Sequence, residues 1–290
     1  MSYDYKFLNV EKKGRVAHIT LDNPPLNVMT LPLFQELVGL SRELETDRDL
    51  LVVVLKSADP DFFIAHFDVQ ALLDMPVEGE AARDSALNEF HAMCERFRNM
   101  DKVTIAQVEG RVGGGGNELI SAFDMRFGVQ GKTLINQMEV AVGILPGGGG
   151  TQRLPRTIGR ARAMEVILGC EDLDAETAER WGHLNRIFPP ERIAPFVERL
   201  ATRIASFSED AVKLAKESIN NSSKSLQEGL LDETLLFQRL LRTDVARASM
   251  QRFLELGGQT REGECRVDEL CDTLSEESFA ASSETEETED

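Results

Sequence analysis

The stretch that decides the fold is 110–154. It carries Gly113-Gly114-Gly115-Gly116-Asn117-Glu118-Leu119 directly after a strand-like run, and Gly147-Gly148-Gly149-Gly150-Thr151-Gln152-Arg153 after Ile144-Leu145-Pro146. Glycine runs invite a phosphate-loop reading. A Walker loop needs GxxxxGK[ST], and neither run is followed by Lys-Ser or Lys-Thr. A dinucleotide fingerprint needs GxGxxG, but the sixth position is Glu118 in one run and Gln152 in the other. Both nucleotide readings fail on spacing. Residues without a Cβ also let backbone N–H groups approach a ligand, and a helix opening there presents free amides. A carbonyl becoming an oxyanion is a fitting target for such donors. Glu118 falls in the first turns of that helix, where a plain helix-start charge accounts for it equally well. Glu139 is a lone acid in an uncharged segment and needs a buried partner if structural, with Arg153 as one choice.

Working outward, Val16–Leu21 is β-rich and stops at the turn cluster Asp22-Asn23-Pro24-Pro25. A helical pattern follows in Leu33, Phe34, Leu37, Val38, Leu40 and Leu44. The runs 50–55 and 103–108 read as buried strands, with an amphipathic helix between them marked by Leu87, Phe90, Met93, Cys94, Phe97 and Met100. This alternation predicts an α/β protein. Beyond about Gly159 strand signals fade, and Leu226–Leu241 carries the clearest apolar helical stripe.

The chain has 290 residues and a net charge of −18, which argues against generic nucleic-acid binding. The segment 263–290 holds eleven acids against one base, Arg266, and ends in Ser, Thr, Glu and Asp alone. That composition predicts a disordered, solvating tail. No apolar run is long enough to span a bilayer, and the first ten residues resemble neither an export signal nor a transit peptide. The four cysteines form no CxxC pair, so free thiols in a cytoplasmic setting are expected. With His18, His91 and His183 they make no metal-ligand spacing, and no metal is expected.

The two glycine runs, with Ile105-Ala106-Gln107-Val108-Glu109-Gly110, Gln137-Met138-Glu139, Phe63-Ile64-Ala65-His66-Phe67-Asp68-Val69 and Ala178-Glu179-Arg180-Trp181-Gly182-His183-Leu184-Asn185, resemble the enoyl-CoA hydratase (crotonase) family over roughly 6–256. The resemblance implies a spiral of ββα repeats over 1–192, a helical trimerisation region over 193–262, and the acidic tail outside both. It implies an acyl-CoA thioester substrate whose carbonyl sits between the backbone amides of Phe67 and Gly115. Coenzyme A is then part of the substrate, and no separate cofactor is needed. Glu118 matches the carboxylate that takes a proton from the attacking water, and Glu139 the acid that protonates Cα. Ala65, His66, Asp68, Gly114, Gly147 and Gly148 match substrate-binding positions. A homotrimer, or two trimers paired, is the implied assembly.

Within the family, retention of both acids favours syn hydration of a 2,3 double bond. A Δ3,Δ2-enoyl-CoA isomerase, another specialised acyl-CoA enzyme and a non-catalytic acyl-CoA-binding scaffold stay open. The chain departs from the family at Ala65-His66-Phe67-Asp68, where Ala-Gly-Ala-Asp is usual, and at Asn136-Gln137-Met138-Glu139. Asn23 and Pro25 stand where basic residues near the CoA phosphates are common, leaving Lys56, Arg247 and Arg252 as replacements.

Overall fold

The computed structural model describes residues 3–274. Those residues divide into two compact units. One comprises the chain up to Met100 with Thr104–Glu198; the other comprises Asp101–Val103 and the chain from Arg199 onward. The first unit opens with a hairpin of β1 (Leu8–Lys13) and β2 (Val16–Leu21), paired antiparallel around Gly14-Arg15. Helix α1 (Leu31–Thr46) starts where the Thr30 hydroxyl accepts the Leu33 N–H, and it buries Leu33, Leu37, Leu40 and Leu44 at helical spacing.

Three strand–strand–helix turns follow. The first is β3 (Val52–Ser57), β4 (Phe62–Ile64) and α2 (Val69–Leu73); α3 (Glu89–Asn99) then leads into the second, β5 (Val103–Val108), β6 (Arg111–Gly113) and α4 (Gly115–Ile120). The third is β7 (Met125–Val129), β8 (Leu134–Asn136) and a single 3-10 turn over Glu139–Val142. In each turn the first strand joins a six-stranded sheet and the second joins a four-stranded one. This is the expected ββα spiral. The apolar run 50–55 is entirely buried, as a strand covered on both faces requires.

Helices α5 (Gly150–Ile158), α6 (Arg160–Gly169) and α7 (Ala175–Trp181) complete the unit, with two strands the sequence did not announce. These are β9 (Leu173–Asp174) and β10 (Arg186–Phe188), which extend the edges of the small and large sheets. At two and three residues they are too short to show a period. Helix α8 (Pro190–Ser206) contains the boundary between the units, at Glu198 and Arg199, six residues beyond the expected 192/193.

The second unit is helical: α9 (Glu209–Asn220), α10 (Leu226–Leu241), α11 (Asp244–Glu255) and α12 (Arg261–Glu264). A capping box of Ser225 and Glu228 starts α10. Its stripe, which reads alike for an intrachain core and for a subunit contact, is buried only at Leu236; Leu230, Leu231, Leu235 and Phe237 are each more than half exposed in the single chain. Of the acidic segment expected to be disordered, 267–274 is helical with Leu270 buried. Val267, Leu270 and Leu274 recur at helical spacing, an apolar pattern that the acid count concealed. The remainder of that segment, 275–290, lies outside the described residues.

The spiral positions a site through the small sheet. Strands β4, β6 and β8 are parallel neighbours, so the segments leaving their carboxyl ends lie side by side. Those segments carry Ala65–Phe67, the first glycine run, and Gln137–Glu139. Such ends are where ligands bind in open α/β sheets. Close packing of α4 on β4 explains one glycine. A Cβ on Gly116 would stand 2.7 Å from Ile64 Cβ and 2.9 Å from the Ile64 carbonyl oxygen. Gly116→Ala is therefore expected to lower stability by about 1–3 kcal/mol, read as a lower urea midpoint at unchanged slope.

Candidate active site

Glu118 lies on α4 and Glu139 opens the 3-10 turn after β8; their exposures are 3% and 9%. Two buried carboxyl groups on adjoining segments demand partners. Glu118 Oε1 accepts the Gly148 N–H at 2.7 Å and the Gly150 N–H at 2.8 Å, so the second glycine run closes over it. A Cβ on Gly148 would come within 2.6 Å of Glu118 Oε2, which leaves only glycine at that position. Burial pushes the Glu118 carboxyl up to about 7, with the charge of Glu139 adding to the rise. The Gly150 and Gly148 amides and Arg153 act in the opposite sense.

Glu139 accepts from the side-chain amide of Gln137. Gln137 Nε2 donates to Oε1 at 2.9 Å and to Oε2 at 3.0 Å. Burial raises the Glu139 pKa above the ordinary carboxylate value, while its own backbone N–H, Gln137 and the nearby His66 moderate the rise. Arg153 does not pair with Glu139. It bonds Glu95 at 2.6 Å and the Gly148 carbonyl at 3.1 Å, bracing the loop that holds Glu118.

The two acids share surroundings. A Cβ on Gly150 would lie 3.2 Å from Glu118 Oε1 and 3.3 Å from Gln137 Cδ, and one on Gly114 would lie 3.1 Å from Glu139 Oε1 and 3.3 Å from His66 Cβ. Gly114, His66, Gly148 and Gly150 are thereby brought to the carboxyl groups.

The backbone amides of Phe67 and Gly115 are neighbours. The parallel bridge from Met29 uses the His66 carbonyl at 2.8 Å and the Asp68 N–H at 3.1 Å, which turns the intervening Phe67 N–H to the other side. Gly115 is the first residue of α4, so its N–H has no carbonyl one turn back. A Cβ on Gly115 would be 3.7 Å from the Phe67 nitrogen. Beside this pair stands an aromatic wall. Phe67 meets Phe34 edge-on at 5.9 Å and Phe90 at 6.2 Å, Phe34 stacks on Phe90 at 5.7 Å, and the Phe90 ring crowds Gly148.

The other sequence candidates divide. Asp68 caps α2, accepting the N–H of Gln70 at 2.9 Å, and Ala65 is buried with its carbonyl against Gly113. Gly147 is exposed and meets neither carboxyl group. Lys56 lies beside His18 on the face of the large sheet turned toward Glu198, away from the face that shares a core with the small sheet. Asn23 orders its own turn, donating to the Asn27 side chain and the Val28 carbonyl. Arg247 and Arg252 belong to the other unit. Trp181 packs against the core with Arg162 over its ring, 5.4 Å from the centroid. No group of three or more His, Cys, Asp or Glu side chains is placed to hold a metal ion among the described residues.

The sequence signals no role in the chemistry for Asn117, Gln137 or His183, all of them buried. Asn117 Nδ2 donates to Gln137 Oε1 at 2.7 Å, and His183 Nε2 lies 2.8 Å from Asn117 Oδ1. An uncharged amide beside a charged acid carries no periodic signal. His183 lies sixty-six residues from Asn117, a separation that no local pattern spans.

The enoyl-CoA hydratase/isomerase family profile matches residues 11–262. A protein named "Probable enoyl-CoA hydratase" from Rhizobium meliloti is 36% identical over 253 residues, covering 86% of this chain and 95% of the relative. The short-chain-enoyl-CoA hydratase of Clostridium acetobutylicum is 30% identical over 249 residues, covering 85% and 94%. Among solved structures, Pseudomonas aeruginosa DspI superposes with a TM-score of 0.78 at 31% identity, covering 88% of this chain and 96% of DspI. The enoyl-CoA hydratase of Bacillus anthracis gives 0.78 at 27% identity, covering 86% and 96%. A ββα spiral, a family profile matched over most of the chain and relatives matched across nearly their whole length place the chain in the enoyl-CoA hydratase/isomerase family, the crotonase superfamily.

Proposed function

We propose that the protein is an enoyl-CoA hydratase adding water syn across the 2,3 double bond of an acyl-CoA thioester. The observation that carries this reading is the pair of buried acids beside two unpaired, adjacent amides. Water oxygen attacks Cβ while Glu118 takes its proton. The double-bond electrons move onto the thioester oxygen, giving an enolate that the Phe67 and Gly115 N–H groups hold. Glu139 delivers a proton to Cα as the enolate collapses, so the product has gained one water. Proton exchange with solvent then resets both acids. A carboxyl group at about 7 is well matched to general-base work near neutral pH. Coenzyme A enters and leaves as part of the substrate.

One observation favours a second reading. Gln137 donates to both oxygens of Glu139, which suits an ionised group at rest and hence the base of a Δ3,Δ2-enoyl-CoA isomerase. The free thiols suit a reducing compartment such as the cytoplasm, and no helix among the described residues is long and apolar enough to cross a membrane.

With crotonyl-CoA, loss of the enoyl-thioester absorbance is expected for the wild type and a fall of at least about a hundredfold in kcat for Glu118→Gln. Isomerisation of a 3-enoyl-CoA by a protein inert to crotonyl-CoA would establish the second reading instead; inertness to both would leave a binding protein. The hydration kcat is expected to fall as pH drops below about 7, where Glu118 takes up a proton.

The same substitution has a stability signature. Because folding raises the Glu118 pKa, its stabilising contribution is complete below the carboxyl's ordinary value, near 4.5, and is lost as pH rises through about 7. Glu118→Gln is therefore expected to be more stable than wild type at pH 8 by up to about 3 kcal/mol, with most of the gain gone at pH 5. Urea melts at the two pH values measure it.

The open stripe on α10 is an apolar patch of the kind that marks a protein–protein contact, and we assign it to a homotrimer or paired trimers. Light scattering should find a trimer or hexamer for the wild type and a smaller species for Leu231→Glu combined with Leu235→Glu. A monomeric wild type would contradict the assignment.

A further inference from the structure

A line of three buried polar side chains ends on the Glu139 carboxyl group. His183, Asn117 and Gln137 are at most 1% exposed. The links are His183 Nε2 to Asn117 Oδ1 at 2.8 Å, Asn117 Nδ2 to Gln137 Oε1 at 2.7 Å, and Gln137 Nε2 to the two Glu139 oxygens at 2.9 and 3.0 Å. We propose that His183 and Asn117 are positioning residues for Glu139: the imidazole tautomer fixes which way two successive amides face, and so ensures that a donor meets the carboxyl group.

The argument is one of donor and acceptor inventory. If His183 carries its proton on Nε2, it donates to Asn117 Oδ1. The Asn117 amide group is then aimed at Gln137 Oε1, and Gln137 presents N–H to Glu139. The opposite tautomer reverses every link and sets the Gln137 carbonyl against a carboxylate. It also creates a buried N–H at Nδ1, an atom with no hydrogen-bond partner. The first arrangement leaves only an unpaired lone pair there. The surroundings hold the ring neutral: burial and the Arg126 charge drive its pKa down to about 3. Arg126, on β7, donates from Nε to the His183 carbonyl at 2.7 Å and has Asp124 as its own nearby charge.

For Glu139 the consequence is directional. When the group is protonated, Gln137 still donates to the oxygen without the proton, leaving the O–H on the other oxygen, free for a substrate carbon. The charged or titratable groups that face Glu139 are Glu118 on α4 and His66 after β4; neither fixes the order of its two oxygens.

The proposal rests on the reading of Glu139 as the proton donor, and two measurements separate their failures. The first needs no turnover. With 15N-labelled histidine in the full chain, His183 is expected to stay neutral with its proton on Nε2 from pH 5 to 9, its resonance identified by loss in His183→Gln. A proton on Nδ1, or titration in that range, overturns the proposal whatever the protein catalyses. The second is kinetic. Asn117→Leu frees the Gln137 amide to turn, so kcat is expected to fall between about tenfold and a hundredfold with KM within about twofold. The basic limb of the hydration profile, where Glu139 loses its proton, moves upward, because a carboxylate that loses its donor holds its proton more tightly. His183→Gln, whose amide can still donate to Asn117, keeps most of the activity. An Asn117→Leu enzyme with wild-type kcat and pH profile, or with KM rising in step with the loss, overturns it. A wild type that never hydrates contradicts the hydratase reading, and the tautomer measurement then decides the positioning proposal alone.

Discussion

A carboxyl group taken out of water must be met by donors, and at Glu118 these come from the backbone of the second glycine run. Most of the local architecture follows from that requirement. Gly148 has no room for a side chain between the carboxylate and Phe90, so the loop must be glycine where it closes. The loop is stiffened by Arg153, which bonds the Gly148 carbonyl and is itself held by Glu95 on α3. On the other side, the three parallel strands of the small sheet bring the amide pair and both acids to one edge. The spiral thus serves to align strand ends that are far apart in the chain.

The site is arranged against its own stability. Two acids in a low-exposure setting repel each other, and the donors around Glu118 do not restore its ordinary pKa. Opposed tendencies of this kind are expected where proton transfer is required and are difficult to explain as packing. Beside the amides, Phe67 joins Phe34 and Phe90 in an aromatic wall. A backbone donor is indifferent to the side chain it carries, so the bulk of Phe67 changes the wall of the site and leaves the N–H in place.

Much of this was legible in the residues. Val16–Leu21, the helix on Leu33 to Leu44, the buried runs and the glycine-led start of α4 all declare themselves through period or composition, because a single physical requirement governs each. Glu118, Glu139, Phe67 and Gly115 are reached only by resemblance, and the fold places their segments at the carboxyl ends of the small sheet's strands. Features that depend on long-range meeting were not legible. Nothing local says that Gln137, and not Arg153, bonds Glu139, or that a histidine near 183 touches an asparagine at 117. The stripe on α10 reads the same whether it faces its own chain or another. The acid count in 263–290 hid three apolar residues at helical spacing.

The central claim is that the Phe67 and Gly115 amides and the Glu139 carboxyl act on the same thioester. The most direct measurement is exchange of the α-hydrogens of a saturated acyl-CoA with deuterium oxide, followed by mass spectrometry, since it needs the enolate and Glu139 but no water addition. The account predicts exchange above the buffer rate in the wild type, retained in Glu118→Gln and lost in Glu139→Gln. Exchange at the buffer rate in the wild type, or exchange that survives the loss of Glu139, would contradict it.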